Sequence, residues 1–206
     1  SKKIKLITNS DTEILLQYYK IYGEKCVEHF EGMWSFAIYN TKKKELFLSR
    51  DRFAEKPLYY YENKSGIFFG SEIKYLRSLS GKNFRPNFNM VNKFLSLGYK
   101  SINKGKDTFF VHVKKLINAE NLYCNSDFKL KIKKYWSPKI KINNKLSLNE
   151  TIENVKKLLI DTIRLRIRSD VPIAFCLSGG VDSSALASIA VKEFNCKIKT
   201  FSIIDT

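Results

Sequence analysis

The most informative run of the sequence is Leu177-Ser178-Gly179-Gly180-Val181-Asp182-Ser183-Ser184. Residues 171–177 are almost wholly apolar and predict a buried strand, and residues 185–194 have the pattern of a helix. A glycine-rich turn between a strand and a helix is suited to bind phosphate, because its backbone N–H groups can approach an anion and the helix N-terminus carries partial positive charge. Ser183 and Ser184 add hydroxyl donors. Asp182 would repel a phosphate unless a cation lay between them, so it indicates Mg²⁺.

The residues around this loop predict a β–α–β unit. Apolar residues at helical spacing run from Leu148 to about Arg168 ahead of the strand, and a second strand is predicted from Ile198 to Ile204. A β–α–β unit implies a parallel sheet, and an open parallel sheet binds nucleotides at the carboxyl ends of its strands. Two strands of a parallel sheet are not stable alone in water, so we expect this sheet to need further strands.

The residues before about 138 predict an α+β region instead. Ser10 followed by Glu13 is typical of a capping box, and the helix that it begins is predicted to end at Gly23. Runs of apolar and aromatic residues then predict four strands, at Gly32–Tyr39, Glu45–Arg50, Pro57–Tyr61 and Gly66–Gly70. A helix followed by these strands indicates an antiparallel meander.

Two further helices are predicted after the strands. One begins near Ser71, and the other lies within residues 86–98. The apolar residues of the second helix that are expected to face inward are Met90, Val91, Phe94 and Leu95. Residues 99–140 are polar and lysine-rich, with only short β-like runs.

The composition narrows the class of protein. The chain has 206 residues, a formal net charge of +17 and 44% hydrophobic residues, a content that is ordinary for a globular protein. No run of about 18 apolar residues predicts a membrane span, and no signal peptide is evident. The lysines are scattered along the chain, which favours a solvated surface over a nucleic-acid interface. Four cysteines without metal-ligand spacing, and only two histidines, indicate a reduced, cytoplasmic protein.

Five segments near the start of the chain resemble, in order, the later part of the class II glutamine amidotransferase domain. They are Ser10–Glu13, Phe30–Tyr39, Ser49–Phe53, Lys56–Tyr60 and Gly70–Lys74. The loop at 178–184 resembles the S-G-G-x-D-S-S pyrophosphate loop of the ATP pyrophosphatases. An amidotransferase domain followed by such a loop is similar to the glutamine-hydrolysing asparagine synthetase family, and the resemblance covers nearly the whole chain.

The resemblance implies a fold and a division of the chain. Residues 1–138 are expected to form the C-terminal part of an Ntn-type αββα glutamine amidotransferase domain, which is an α+β fold. Residues 139–147 are expected to be a linker, and residues 148–206 to be the start of an α/β parallel-sheet ATP pyrophosphatase domain. Enzymes of this family hydrolyse glutamine to glutamate and ammonia. They also activate aspartate with ATP as β-aspartyl-AMP, from which ammonia displaces AMP to give asparagine.

The resemblance also implies site residues. Asp11 matches the family aspartate that binds the α-ammonium group of glutamine, and an ionised carboxylate is a strong partner for an ammonium group. ATP is expected to bind at Leu177, Ser178, Gly179, Gly180, Val181, Asp182, Ser183, Ser184 and Ile203. Asp182 is expected to face Mg²⁺. The expected partners are glutamine, aspartate and ATP, with neither a membrane nor a nucleic acid, and a homodimer is left open.

Departures from the family pattern limit what the chain is expected to do alone. The family's nucleophile, an N-terminal cysteine activated by its own α-amino group, is not in the sequence, and Ser1 is not its counterpart. Ala54 stands where the family commonly has glycine. The rest of the synthetase domain is missing as well. The chain is therefore expected to be an internal piece that by itself hydrolyses no glutamine and makes no asparagine.

Other interpretations of the sequence stay open. A related amidotransferase could act on another carboxylate. Several enzymes that modify tRNA use the same loop, and the net charge of +17 would suit a tRNA partner. A regulatory protein that keeps the fold without catalysis is a further alternative.

Overall fold

The computed structural model describes residues 6–99, 105–142 and 145–203, and the chain divides into two compact units, residues 1–139 and 140–206. In the first unit the helices are α1 (Asp11–Tyr22), a 3₁₀ helix (Gly23–His29), α2 (Ile73–Ser80) and α3 (Phe88–Leu97). Its strands are β1 (Ser35–Asn40), β2 (Glu45–Arg50), β3 (Tyr59–Asn63), β4 (Gly66–Gly70), β5 (Lys114–Lys115), β6 (Glu120–Cys124) and β7 (Leu130–Lys134).

These strands form two antiparallel sheets, so the prediction of a single meander was wrong. The first sheet has the order β1-β2-β6-β7 and the second has the order β4-β3-β5. β2 is paired on both sides, with Leu48 opposite Ala37 of β1 and opposite Leu122 of β6. β2 can take this central position because Leu46 and Leu48 face one side of the sheet and Phe47 faces the other, and all three are buried.

Each sheet has one face toward the other sheet and one face under a helix. The buried residues between the two sheets are Leu46, Leu48, Leu58, Tyr60, Leu116, Leu122 and Cys124. On the outer face of the first sheet, Phe47 packs with Val27 of the 3₁₀ helix and with residues of α1. On the outer face of the second sheet, Tyr61 packs with Leu76 of α2. The first unit is therefore an α+β fold with the layers helix, sheet, sheet, helix.

The predicted bounds of β2 and β4 are confirmed, whereas β1 and β3 begin later than predicted. β1 begins at Ser35 because the backbone of Trp34 is bonded to Asp51, which follows β2. β3 begins at Tyr59 rather than at Pro57, since proline has no N–H to donate to a ladder.

Strand β7 was not predicted, because its lysines make residues 99–140 read as polar. In the structure Leu130 and Ile132 pack against the core between the sheets, and the lysines Lys131, Lys133 and Lys134 are exposed. β7 is an edge strand of the first sheet, and lysines on an edge discourage pairing with other chains.

Helix α3 buries fewer apolar residues than predicted. Met90 is 4% exposed, whereas Phe94 is 41% and Leu95 is 74% exposed. The prediction for Leu95 was wrong because five residues correspond to about 140° around a helix, which places Leu95 far from the face that buries Met90.

The second unit contains the predicted β–α–β arrangement. Its elements are α4 (Leu148–Arg166), β8 (Ile173–Cys176), α5 (Val181–Phe194) and β9 (Ile198–Phe201). β8 and β9 are parallel, with Cys176 opposite Phe201. A capping box begins α4: the Ser147 hydroxyl accepts the N–H of Glu150 at 3.3 Å, and the Glu150 carboxylate accepts the N–H of Ser147 at 2.8 Å.

The prediction that β8 is a buried strand was wrong for this chain. Ile173 and Phe175 are half-buried, and Ala174 and Cys176 are exposed. The described residues of the second unit form a sheet of two strands, so one face of β8 has no covering layer among them. No helix within the described ranges has both the length and the hydropathy that a membrane crossing requires.

Candidate functional site

The first unit has a cavity of about 590 Å³, and Asp11, the residue predicted to bind glutamine, lies on its lining. Its lining comes from the start of α1, the end of the 3₁₀ helix, the segment leading into β1, and the turn before β3. The lining residues are Asp11, Thr12, Ile14, Leu15, His29, Phe30, Glu31, Met33, Trp34, Ser35, Phe36, Lys56, Pro57 and Ser71. The cavity thus combines aromatic side chains with the charged side chains that an amino acid would need.

Asp11 occupies the first turn of α1, and the segment before the helix holds it there. Ser10 is the N-cap, and its hydroxyl accepts the N–H of Thr12 at 3.2 Å. The predicted capping box is not formed, because the Glu13 carboxylate instead accepts the hydroxyl and the N–H of Thr8, each at 2.6 Å. These bonds, together with one from the N–H of Ile7, hold the pKa of Glu13 below its usual value.

The side chain of Asp51 organises the turn that follows β2. It is fully buried, and each of its carboxylate oxygens accepts two backbone N–H groups. Oδ1 accepts from Phe53 and Glu55, both at 3.0 Å. Oδ2 accepts from Lys56 at 3.0 Å and from Trp34 at 3.3 Å. A buried carboxylate with four donors is a satisfied charge, so it can hold the turn in one conformation.

Arg50 holds the same turn through its guanidinium group. The group donates to the carbonyl oxygens of Lys56 at 2.6 Å and Ala54 at 2.8 Å, and also to that of Leu116. Burial lowers the pKa of Arg50, and the neighbouring Asp51 carboxylate opposes that shift. Residues 51–57, hereafter the 51–57 loop, are therefore held by hydrogen bonds to the Arg50 guanidinium group and the Asp51 carboxylate.

Ala54 adopts a left-handed backbone conformation within this loop, with φ of +58°. Glycine is common at this position in the family that the sequence resembles. A non-glycine residue in this region has its Cβ close to a neighbouring carbonyl oxygen, which costs about 1–2 kcal/mol. The loop therefore carries strain that the bonds from Arg50 and Asp51 offset.

We expect Ala54→Gly to stabilise the protein. Relief of strain outweighs the extra backbone entropy of glycine in the unfolded chain, so the free energy of unfolding should rise by about 0.5–1 kcal/mol. Denaturant unfolding measures the change. Ala37→Gly in β1 is the matched control, because Ala37 has no left-handed backbone and glycine should lower stability there. A loss of stability in both variants would contradict the assignment of strain to Ala54.

The thiols that the structure describes are not suited to act as the nucleophile of a glutaminase. Burial raises the pKa of Cys26 to about 11, and burial also raises the pKa of Cys124. Both thiols therefore stay protonated at neutral pH, and the thiolate is the reactive form. Cys176 and Cys196 belong to the second unit, and the described lining of the cavity includes no cysteine.

The predicted phosphate loop, residues 177–184, connects β8 to α5 in the second unit. Leu177 ends the strand, and its N–H donates to the carbonyl of Phe201 at 2.8 Å, which extends the parallel pairing. Gly179 has φ of +78°, and a Cβ built there would meet no atom within 4 Å. Gly180 is the N-cap of α5, so the helix begins within the loop, four residues earlier than the sequence pattern indicated. A glycine turn open to solvent at a helix N-terminus fits the size and charge of a pyrophosphate group.

Ser183 and Ser184 differ in what they do. The Ser183 hydroxyl accepts the N–H of Ser178 at 3.3 Å and contacts the Ser178 hydroxyl at 3.2 Å. It also lies 3.2 Å from the carbonyl oxygen of Gly180, to which it donates. Ser183 therefore closes the loop, whereas Ser184 is exposed in the first turn of α5.

Asp182, Val181 and Ile203 are exposed at the same edge of the parallel sheet. Ile203 follows the end of β9 by two residues and is fully exposed. Within the described parts of the chain, no group of three His, Cys, Asp or Glu side chains could hold a metal ion by itself. A single carboxylate nevertheless fits Mg²⁺, which keeps several waters and is commonly held by one or two carboxylates together with substrate phosphates.

The sequence pattern assigns no role to Arg50 or Asp51, and the structure shows them to be central to the first unit. A signal for them is present in the sequence. Arg50 and Asp51 follow the apolar residues 46–48 after a single serine, and a charged pair so close to a buried strand must either leave the core or be satisfied inside it. The sequence pattern does not identify the hydrogen-bond partners of Arg50 and Asp51, which are backbone groups spread from Trp34 to Leu116.

Comparison with known proteins gives matches to both units. The family model described as glutamine amidotransferase domain matches residues 1–136, and the one described as asparagine synthase matches residues 154–204. A Methanocaldococcus jannaschii protein named as a glutamine-hydrolysing asparagine synthetase is 40% identical over 206 residues, which is 95% of this chain and 38% of that protein. Asparagine synthetase (glutamine-hydrolysing) 3 of Bacillus subtilis is 35% identical over 198 residues, which is 94% of this chain and 32% of that protein. This chain therefore spans well under half the length of these relatives.

Among solved structures, the chain is similar to the glutamine phosphoribosylpyrophosphate amidotransferase of Bacillus subtilis in complex with ADP and GMP. The TM-score is 0.43 at 14% identity, and the match covers 97% of this chain and 40% of that chain.

Proposed function

We propose that this chain, which belongs to the glutamine amidotransferase domain family, is part of a glutamine-hydrolysing asparagine synthetase. The observation that carries the proposal is the order of two sites along one chain. A cavity with Asp11 on its lining lies in the first unit, and a glycine-rich loop between a parallel strand and a helix lies in the second. One site suits an amino acid and the other suits a phosphate.

The first half-reaction is the hydrolysis of glutamine to glutamate and ammonia in the cavity of the first unit. Asp11 binds the α-ammonium group of glutamine, since an ionised carboxylate and an ammonium group form a charge-assisted hydrogen bond. The layers helix, sheet, sheet, helix are those of an Ntn-type domain, in which the nucleophile is an N-terminal cysteine of the complete protein. Residues of this chain bind and orient glutamine, and they do not supply the thiol.

The second half-reaction takes place at the phosphate loop. The aspartate side-chain carboxylate attacks the α-phosphorus of ATP, which forms β-aspartyl-AMP and releases pyrophosphate. Ammonia then attacks the activated carbonyl carbon and displaces AMP, which leaves asparagine. The backbone N–H groups of the loop and of the first turn of α5 bind the pyrophosphate portion, because these groups have no partner within the helix.

Mg²⁺ would be held by Asp182 together with the phosphates, where it neutralises negative charge on the leaving pyrophosphate. Leu177, Val181 and Ile203 flank the nucleotide at the carboxyl ends of the two strands. We place the functional division of the chain at residues 1–138 and 148–206, with a linker between them, and we place the protein in the cytoplasm, where its free thiols stay reduced.

The test is an assay of the purified protein that carries this chain, with aspartate, ATP and Mg²⁺ and with either glutamine or ammonium as nitrogen source. We expect asparagine, AMP and pyrophosphate from both nitrogen sources, and glutamate only from glutamine, as measured by mass spectrometry. Amidation of a different carboxylate, with aspartate untouched, would favour the related amidotransferase. Absence of both AMP and glutamate formation would overturn the proposal.

A further inference from the structure

We propose that Arg50 and Asp51 are positioning residues that fix the wall of the glutamine cavity and thereby set the KM for glutamine. The inference rests on the proposed glutaminase function of the first unit. The cavity wall is defined here as Trp34, Ser35, Lys56 and Pro57, all of which line the cavity. Neither Arg50 nor Asp51 lines the cavity, so they would act through these four residues.

The wall consists of two segments, and Asp51 bonds both of them. Its Oδ2 accepts the N–H of Trp34 and the N–H of Lys56, and its own N–H donates to the carbonyl of Trp34 at 3.0 Å. The Ser35 hydroxyl donates to the carbonyl of Pro57 at 3.0 Å, which joins the two segments directly. The start of β1 and the end of the 51–57 loop are therefore held together at one side of the cavity.

Arg50 anchors this arrangement to the rest of the first unit. Its guanidinium group donates to the carbonyl of Lys56 within the wall and to that of Leu116, which follows β5 and belongs to the core between the sheets. The position of Lys56 therefore depends on two charged side chains, the buried Asp51 and the half-buried Arg50, which bond its N–H and its carbonyl oxygen. Loosening either bond would move the wall without removing a group that contacts glutamine.

The role of Arg50 and Asp51 differs from general support of the fold, because the 51–57 loop that they hold is also strained. Ala54 has a positive φ, its carbonyl accepts a hydrogen bond from Arg50, and its N–H donates to the carbonyl of Asp51. When these bonds weaken, the loop has a less strained conformation available to it. The expected consequence is a shifted wall in a folded protein.

Asp51→Asn is the informative substitution, since each oxygen of Asp51 accepts two N–H groups. Whichever way the amide of asparagine is oriented, its NH₂ group faces two donors and loses both bonds. We expect the KM for glutamine to rise by about tenfold or more, with kcat and the ammonia-dependent rate of asparagine formation each changed by less than about threefold. Ser35→Ala, which removes only the bond to Pro57, should raise the KM in the same direction by a few fold.

The matched control is Glu55→Gln, an exposed side chain in the same loop whose backbone N–H still reaches Asp51. Its KM should equal that of the wild type. If Asp51→Asn fails to fold, Ser35→Ala decides the question. An unchanged KM in Ser35→Ala and in any folded Asp51→Asn would overturn the inference, as would a parallel fall of the glutamine-dependent and ammonia-dependent rates. A wild-type protein with no glutamine hydrolysis would instead overturn the proposed function, and this inference with it.

Discussion

Asp182→Ala is expected to abolish ATP-dependent asparagine formation and to leave glutamine hydrolysis intact. Asp182 is the one carboxylate in the phosphate loop, and it is exposed at the N-terminus of α5, where an incoming nucleotide can reach it. Without it, the loop lacks the carboxylate that we propose holds Mg²⁺. We expect a loss of about 10³-fold in the ammonia-dependent rate, which corresponds to about 4 kcal/mol in the barrier.

The measurement is the rate of pyrophosphate release with ammonium as nitrogen source, beside the rate of glutamate formation from glutamine. Glu193→Ala is the matched control, because Glu193 lies in the last turn of the same helix, about 16 Å along the axis from Asp182. The control should keep both rates. A loss of glutamine hydrolysis in Asp182→Ala would mean that the two sites have been assigned wrongly.

The second large effect is expected for Asp11→Asn, with the opposite pattern. The neutral amide keeps the shape of the side chain and removes the charge that we propose binds the α-ammonium group of glutamine. We expect kcat/KM for glutamine to fall by about 100-fold, because hydrogen bonds between charged groups in a cavity contribute a few kcal/mol. The ammonia-dependent rate should stay unchanged, since ammonium does not need the cavity.

Asp127→Asn in the turn before β7 is the control for Asp11→Asn, since it makes the same change of charge on an exposed side chain of the same unit. Part of any effect of Asp11→Asn on stability comes from its place in the first turn of α1, where a negative charge contributes about 0.3–1 kcal/mol. Thermal unfolding of both variants measures that part. Equal losses of the glutamine-dependent and ammonia-dependent rates would show that Asp11 supports the fold rather than binding glutamine.

The opposite patterns of these two variants make the pair more informative than either alone. Asp11 and Asp182 are both exposed aspartates in the first turn of a helix, and in that position either of them would favour the helix through its charge. Only their surroundings distinguish them. Asp11 opens onto a cavity with aromatic side chains, and Asp182 follows two glycines at the end of a parallel strand.

Much of the local structure could be predicted from the residues. The bounds of β2 and β4 follow from short apolar runs between turn residues, and the parallel β8 and β9 follow from a strand, a glycine turn and a helix in succession. The beginning of α5 was predicted too late, because Val181 to Ser184 read as loop residues although they have helical geometry. These features depend on residues that are close together in the sequence, so the sequence pattern predicts them.

Hydrogen-bond and strand partners that depend on how the chain folds back could not be predicted in the same way. Glu13 was expected to bond back to Ser10 and instead bonds Thr8 and Ile7, because the chain before the helix folds over its first turn. β2 was expected to continue a meander and instead pairs with β6, more than 70 residues later, since only a strand that is apolar on both faces can fill the centre of the first sheet.

The sequence pattern alone predicts a phosphate-binding loop, because the glycines, the serines and Asp182 of residues 177–184 are neighbours in the chain and bring their own local geometry. It also determined the family of the first unit through the order of its motifs. How the cavity beside Asp11 is held depends on the tertiary structure. The groups that meet there, from Trp34 to Leu116, are brought together by sheet pairing and by hydrogen bonds to the half-buried Arg50 and the buried Asp51. A buried charge must find its partners wherever the packed core places them, and no local pattern records that placement.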